Sequence, residues 1–172
     1  MEKLSLVFGI SGVVLFLLSY QQKERKRTII VNAVSRALYI IQYLLLAAFE
    51  GAVLDAAGLL SSVLASQRER PFVKRHLRLY ITAVNIFVIL CGAAVYKNPC
   101  SILPAIGVLC HTGALWLKKE RIIRLLSLAG SPFWLAYNII CHAYGSAIGD
   151  ALTIISILTA IYRYDIKQLR AK

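Results

Sequence analysis

The chain has 172 residues, of which 59% are hydrophobic, with a mean hydropathy of +0.68 and a net charge of +12. A soluble domain carries roughly 45–50% apolar residues, so composition excludes an ordinary water-soluble fold. The charge would suit nucleic acid if it formed one patch, but seventeen of the twenty Lys and Arg fall in four clusters, Lys23 to Arg27, Arg68 to Arg78, Lys118 to Arg124 and Arg163 to Lys172, leaving only Lys3, Arg36 and Lys97 elsewhere.

A basic cluster after every second apolar run is the pattern of loops kept on the cytoplasmic side of a membrane, and it argues against nucleic acid as a partner. In chain order, Leu4 to Tyr20 reads as a first span and not as a signal peptide: Glu2 offsets Lys3, no small-residue cleavage site follows, and the positive charge comes after the apolar stretch. The N-terminus is expected outside. After Gln21 to Thr28 a second span runs from Ile29 to about Ala48, and a tight turn at Phe49 to Gly51 leads into a short third span ending near Ser66. The basic loop Gln67 to Arg78 holds Pro71, a helix-boundary residue, and a fourth span follows from Leu79 to Tyr96. Beyond Lys97 to Cys100, a fifth span from about Ser101 to Leu117 holds Pro104 and His111. The basic loop Lys118 to Arg124 then precedes a sixth span, Leu125 to Tyr144, a turn at Gly145 and a seventh span from Ser146 to about Tyr162. Seven spans place every basic cluster on one side, with a cytoplasmic C-terminal tail from Arg163 to Lys172; omitting the third or the fifth would move later clusters to the opposite face.

A stretch from Ser131 to Ser156 repeats the layout of Arg36 to Ser61 at a constant offset of 95 residues: Tyr43 answers Asn138, Phe49 answers Tyr144, and Ala52, Asp55, Ala56 and Ser61 answer Ala147, Asp150, Ala151 and Ser156. The fourth span inverts the chain between the copies, so both enter the membrane in the same direction and their axis lies along the membrane normal. The expected fold is an all-α membrane protein with seven transmembrane helices: a three-helix repeat over residues 1–66, a basic loop and linker helix over 67–100, and a second three-helix repeat with its tail over 101–172.

Polar residues sort onto one face of the inner spans. At about 100° per residue, Ser131, Trp134, Tyr137, Asn138, Cys141 and His142 occupy a single arc of the sixth span. On the second span Arg36, Tyr39 and Tyr43 share one face, and the offset sets them against Ser131, Trp134 and Asn138. Polar groups at membrane depth face a bundle interior or a wet cavity. The third span carries small residues around Asp55 (Gly51, Gly58, Ser61, Ser62, Ala65) and the seventh around Asp150 (Ser146, Thr153, Ser156, Ala160), faces that let helices approach closely. Both helices are therefore expected to be central and little exposed to lipid.

The candidates for a solute pathway are Arg36, Tyr39, Tyr43, Asp55, His111, Trp134, Tyr137, Asn138 and Asp150. The two aspartates stand at one depth and, if they approached each other, would share a proton suited to proton-coupled movement. Arg36 either binds an anionic solute or extends to the inner surface. The aromatic residues suit a ring-containing solute or anchor the interface. His111 and His142 lack partners at metal-ligand spacing and read as packing residues. Pro104 and Pro132 are hinge candidates, since proline frees a backbone carbonyl. Cys91, Cys100, Cys110 and Cys141 form no C-x-x-C pair; only Cys100 and Cys141 fall near the same surface, where a disulfide stays open. No nucleophile, metal cluster, cofactor motif or phosphate loop appears, so an enzyme is not expected.

SYQQKERKR at Ser19 to Arg27, SPFWLAYN at Ser131 to Asn138 and SILTAIYRYD at Ser156 to Asp165 resemble the bacterial YgjV-type inner-membrane protein family, which implies the bacterial inner membrane as location. The three-one-three plan is more distantly similar to the SWEET sugar transporters, PQ-loop proteins and PnuC-type vitamin transporters, although no proline-glutamine pair is present. The resemblance implies a pocket between two three-helix units, exposed alternately to either side. The expected function is a small-solute carrier working by alternating access, with proton coupling as an option. The alternative is a non-transporting accessory or scaffold protein whose interior is dry and fully packed.

Overall fold

The computed structural model describes residues 2–19, 25–67, 70–117 and 119–166. Among these the chain is all-α, with no strand and eight helices: α1 (Glu2–Ser19), α2 (Arg25–Leu45), α3 (Phe49–Ser66), α4 (Pro71–Arg75), α5 (Leu77–Ala94), α6 (Ile102–Leu115), α7 (Glu120–Ile140) and α8 (Tyr144–Ala160). A 3-10 turn, Pro99–Ser101, precedes α6, and a π turn, Ile161–Ile166, follows α8. Lys23, Arg68, Lys118, Lys167, Arg170 and Lys172 of the basic clusters lie outside the described residues, as do residues 20–24 of the first basic loop and the end of the tail.

Among the described residues three segments are long and apolar enough to cross a bilayer: Phe49–Ser66, Leu77–Ala94 and Tyr144–Arg163. The surface is what such a chain requires. Leu79, Leu90, Ile89, Ile155 and Val7 are exposed on the outside, while Ser35, Gln42, Glu50, Asp55, Thr112, Ser131, Asn138 and Ser146 are buried. A soluble protein distributes these residue types the other way round. Several hydroxyls away from the surface are satisfied inside their own helix: Ser61, Thr112, Ser131 and Thr153 donate to the carbonyl four residues earlier, at 2.7–2.9 Å, as side chains on a helix at membrane depth can.

Several boundaries differ from the sequence reading. The turn expected at Phe49 to Gly51 lies earlier, at Leu46 to Ala48, and its counterpart is at Cys141 to Ala143, not at Gly145. In both turns a residue in the left-handed region ends the helix, Ala47 with φ 55° and His142 with φ 58°. Ala48 N–H donates to the Tyr43 carbonyl at 2.9 Å, and Ala47 N–H to that of Leu44 at 3.2 Å; Ala143 and His142 repeat the pair on Asn138 and Ile139 at 2.8 and 3.2 Å. This is a Schellman cap, made twice without glycine. Gly145 falls inside α8 and serves packing instead: a Cβ there would stand 2.6 Å from Gly9 Cα on α1. The basic loop after α3 contains α4, opened by Pro71 and with Lys74 and Arg75 in its last turn, where the helix dipole favours cations. α7 begins at Glu120, within the expected basic loop, because Arg, Leu and Ile continue the helix readily.

Neighbours are arranged twice over. α1 packs on α2 and α2 on α3; α6 packs on α7 and α7 on α8; α1 lies against α8 and α3 against α6. The linking helix α5 packs on α3 and α6. Its position makes the two small-residue helices unequal: nine residues of α3 are buried, against four of α8, and Ser156 is exposed. The expectation that α8 is central is therefore corrected. α3 is covered on three sides, whereas α8 packs chiefly on α1 and α7.

Candidate functional site

The main apolar core, around Leu54, Val88, Val108 and Trp134, contributes Tyr43 and Trp134 to the wall of a cavity of about 80 Å³ that is partly open to the outside and large enough for several waters. Eight of the nine candidate pathway residues line it: Arg36, Tyr39 and Tyr43 from α2, Asp55 from α3, His111 from α6, Trp134 and Asn138 from α7, and Asp150 from α8. Phe16, Ser146, Gly149 and Thr153 complete the lining.

Tyr43 Oη donates to Asn138 Oδ1 at 2.8 Å. These residues are 95 positions apart, the offset at which the sequence layout recurs. Asn138 turns its other amide atom to the second repeat's carboxylate: Nδ2 donates to Asp150 Oδ2 at 2.6 Å. In the first repeat the equivalent carboxylate is held by an ion pair, Arg36 Nη1 with Asp55 Oδ1. The two aspartates thus each have a donor of their own. Arg36 neither extends to the surface nor stands free for an anion. Its guanidinium turns inward across Gly58, where a Cβ would come within 3.2 Å of Nη1, because a buried carboxylate needs a cation more than the helix end does. Asp55 Oδ2 and Arg36 Nε are buried without partners.

The aromatic wall is set by glycines. A Cβ on Gly12 would stand 2.7 Å from Tyr39 Cε1, and one on Gly107 2.5 Å from Trp134 Cδ1; both the glycines and the rings are 95 residues apart. The Tyr43 and Trp134 rings stack at 6.2 Å. Tyr137 is the one candidate outside the lining. It packs against both rings and its hydroxyl accepts the Gly51 N–H at 2.9 Å, capping a free donor in the first turn of α3.

His111 Nε2 lies 3.1 Å from the Ser127 carbonyl and 3.3 Å from Ser131 Oγ, linking α6 to α7. The carbonyl can only accept, so Nε2 is the donor. His142 is exposed and bonds Tyr144 Oη through Nδ1 at 2.9 Å. Pro132 lies inside α7. Pro104 occupies the first turn of α6, where a missing N–H leaves no intrahelical bond unmade. All four cysteines are free, so Cys100 and Cys141 are not joined.

Among the polar or lining residues that sequence reasoning missed are Phe16, Gln42 and Glu50. Phe16 sits 95 residues before His111, and extending the repeat into the first helices would have paired them. Gln42 is fully buried and accepts from Ser146 Oγ at 2.7 Å, tying α2 to α8. Glu50 is buried where α3 meets α6, accepting from Ser101 Oγ at 3.2 Å with Lys97 Nζ at 4.0 Å. Neither had a periodic signal to separate it from its apolar neighbours. Residues 3–168 match the model of a family described as a bacterial inner membrane protein, while no curated protein and no solved structure matches the chain.

Proposed function

The chain belongs to the Imp-YgjV family of bacterial inner membrane proteins, and from that premise we propose that it is a small-solute carrier working by alternating access. In this reading α1, α2, α3, α5, α6, α7 and α8 are seven spans. The triplets α1–α3 and α6–α8 are parallel repeats about an axis along the membrane normal, and α5 is the linker that inverts the chain between them. The N-terminus lies outside and the C-terminus in the cytoplasm, following the basic clusters.

One observation carries the proposal. Eight of the twelve residues around the cavity form four pairs at the 95-residue offset: Phe16 with His111, Tyr39 with Trp134, Tyr43 with Asn138, and Asp55 with Asp150. A polar cavity centred on a pseudo-two-fold axis gives each repeat one wall. Rocking one repeat against the other then opens the cavity to one face as it closes it to the other. The rival scaffold reading favours a dry, packed interior, and the cavity counts against it.

The test is accessibility at Thr153, which lines the cavity. In a variant whose four native cysteines are replaced by serine, Thr153→Cys is treated with a membrane-impermeant thiol reagent from either side of oriented vesicles. A carrier is labelled from both sides. Labelling from neither side favours the scaffold, and labelling from one side alone describes a dead-end pocket.

A further inference from the structure

We infer that the cavity receives a small organic cation, an amine that seats its N–H donors between Asp150 and Asp55 and its body against the aromatic wall. The inference rests on the carrier reading and narrows its substrate to a charge class.

Charge balance leads to it. Among the lining residues Arg36 and Asp55 form a pair that is neutral as a unit. Asp150 lines the same cavity with the neutral amide of Asn138 as its hydrogen-bond partner, and among the described residues it has no ion pair. A carboxylate at membrane depth is costly unless a cation stands beside it. The missing charge is therefore positive, and the space beside Asp150 is where it would go.

A second, independent feature points the same way. Asp55 is 6% exposed, and its Oδ2, on the carboxylate that lines the cavity, has no partner. A buried acceptor without a donor costs free energy until something supplies one, and an ammonium group supplies three. Arg36 Nε, also without a partner, is a donor whose positive charge Asp55 already matches, so an acceptor there need not be charged. The walls agree with the charge: Phe16, Tyr39, Tyr43 and Trp134 line the same space, and aromatic faces attract cations in a desolvated site.

Three probes of one shape separate the charge classes: benzylammonium, benzyl alcohol and benzoate, each added at pH 8 to the purified full-length protein while thermal unfolding is followed. Benzylammonium is expected to raise the melting temperature and the other two to leave it unchanged. Asp150→Asn, which keeps the shape and removes the charge, should weaken benzylammonium roughly thirtyfold or more, while Asp150→Glu should retain it. Equal stabilisation by benzyl alcohol, stabilisation by benzoate instead, no stabilisation by any probe, or an unaltered response in Asp150→Asn would each overturn the cation. The carrier reading fails separately. Benzoate binding removes the cation but leaves a solute site, whereas benzylammonium that binds without entering proteoliposomes leaves the cation site and removes transport.

Discussion

The two halves of the cavity share a backbone plan and differ in chemistry. Each has an α-helix ended by a non-glycine Schellman cap, a glycine on its first helix cradling an aromatic on its second, and an aspartate on its third. Yet the first half neutralises its aspartate with Arg36, whereas among the described residues the second offers an amide and no ion pair, since Ser131 stands where Arg36 would be. The junctions between halves diverge in the same way. Where α1 meets α8, Gly9 lies against Gly145; at the equivalent place on α3 and α6, Glu50 bonds Ser101 beside Lys97. A symmetric pair of ion-paired aspartates would leave the cavity without net charge; the proposed cation site rests on Asp150 having, among the described residues, an amide and no ion pair.

The largest effect should come from breaking the self-neutralised half. Arg36→Met leaves Asp55 buried without its cation and should cost about 3 kcal/mol, read as reduced thermal stability in detergent; adding Asp55→Asn should restore most of it. An Arg36→Met protein as stable as the wild type would show that the pair contributes nothing. Next come the junctions: Gly145→Ala drives a methyl into the Gly9 backbone, which cannot yield as a side chain can, and should cost about 1–3 kcal/mol. Glu50→Gln, which keeps the acceptor for Ser101, should cost less, and the reverse order in unfolding measurements would mean the polar junction is the tighter one.

Smaller differences test the aromatic cradles. Gly107→Ala should destabilise more than Gly12→Ala, because Trp134 is buried and held on several sides while Tyr39 is only partly buried and can swing aside. Equal losses would mean that both rings are equally fixed. The smallest expected change is a gain. Ala47→Gly relieves a left-handed alanine and should stabilise by on the order of 1 kcal/mol; His142→Gly should gain less, since it also gives up the contact with Tyr144.

Much of this was legible in the sequence, and for physical reasons. Apolar runs separated by basic clusters mark the long helices, and the 95-residue offset matches Tyr43 with Asn138, which touch, and Asp55 with Asp150, which line one cavity. The turns were misplaced because their left-handed residues are Ala47 and His142, which carry no turn signature, while Gly145, which does, is spent on close packing. The starts of α2 and α7 were hidden because Arg and Lys, read as loop, extend helices well. The unequal burial of α3 and α8 depends on where α5 docks, a tertiary fact that no local pattern records. Arg36 was a candidate without a partner, since its ion pair with Asp55 crosses from one helix to the next and has no spacing rule.

The claim that two repeats move about a shared cavity is tested most directly by the distance between Phe49 and Tyr144, equivalent residues half exposed at the start of α3 and α8. With the four native cysteines replaced by serine, nitroxides at Phe49→Cys and Tyr144→Cys in bilayers should give two separated distance populations by pulsed electron spin resonance, with benzylammonium shifting the weight between them. A single narrow distance, unchanged by the amine, would contradict it.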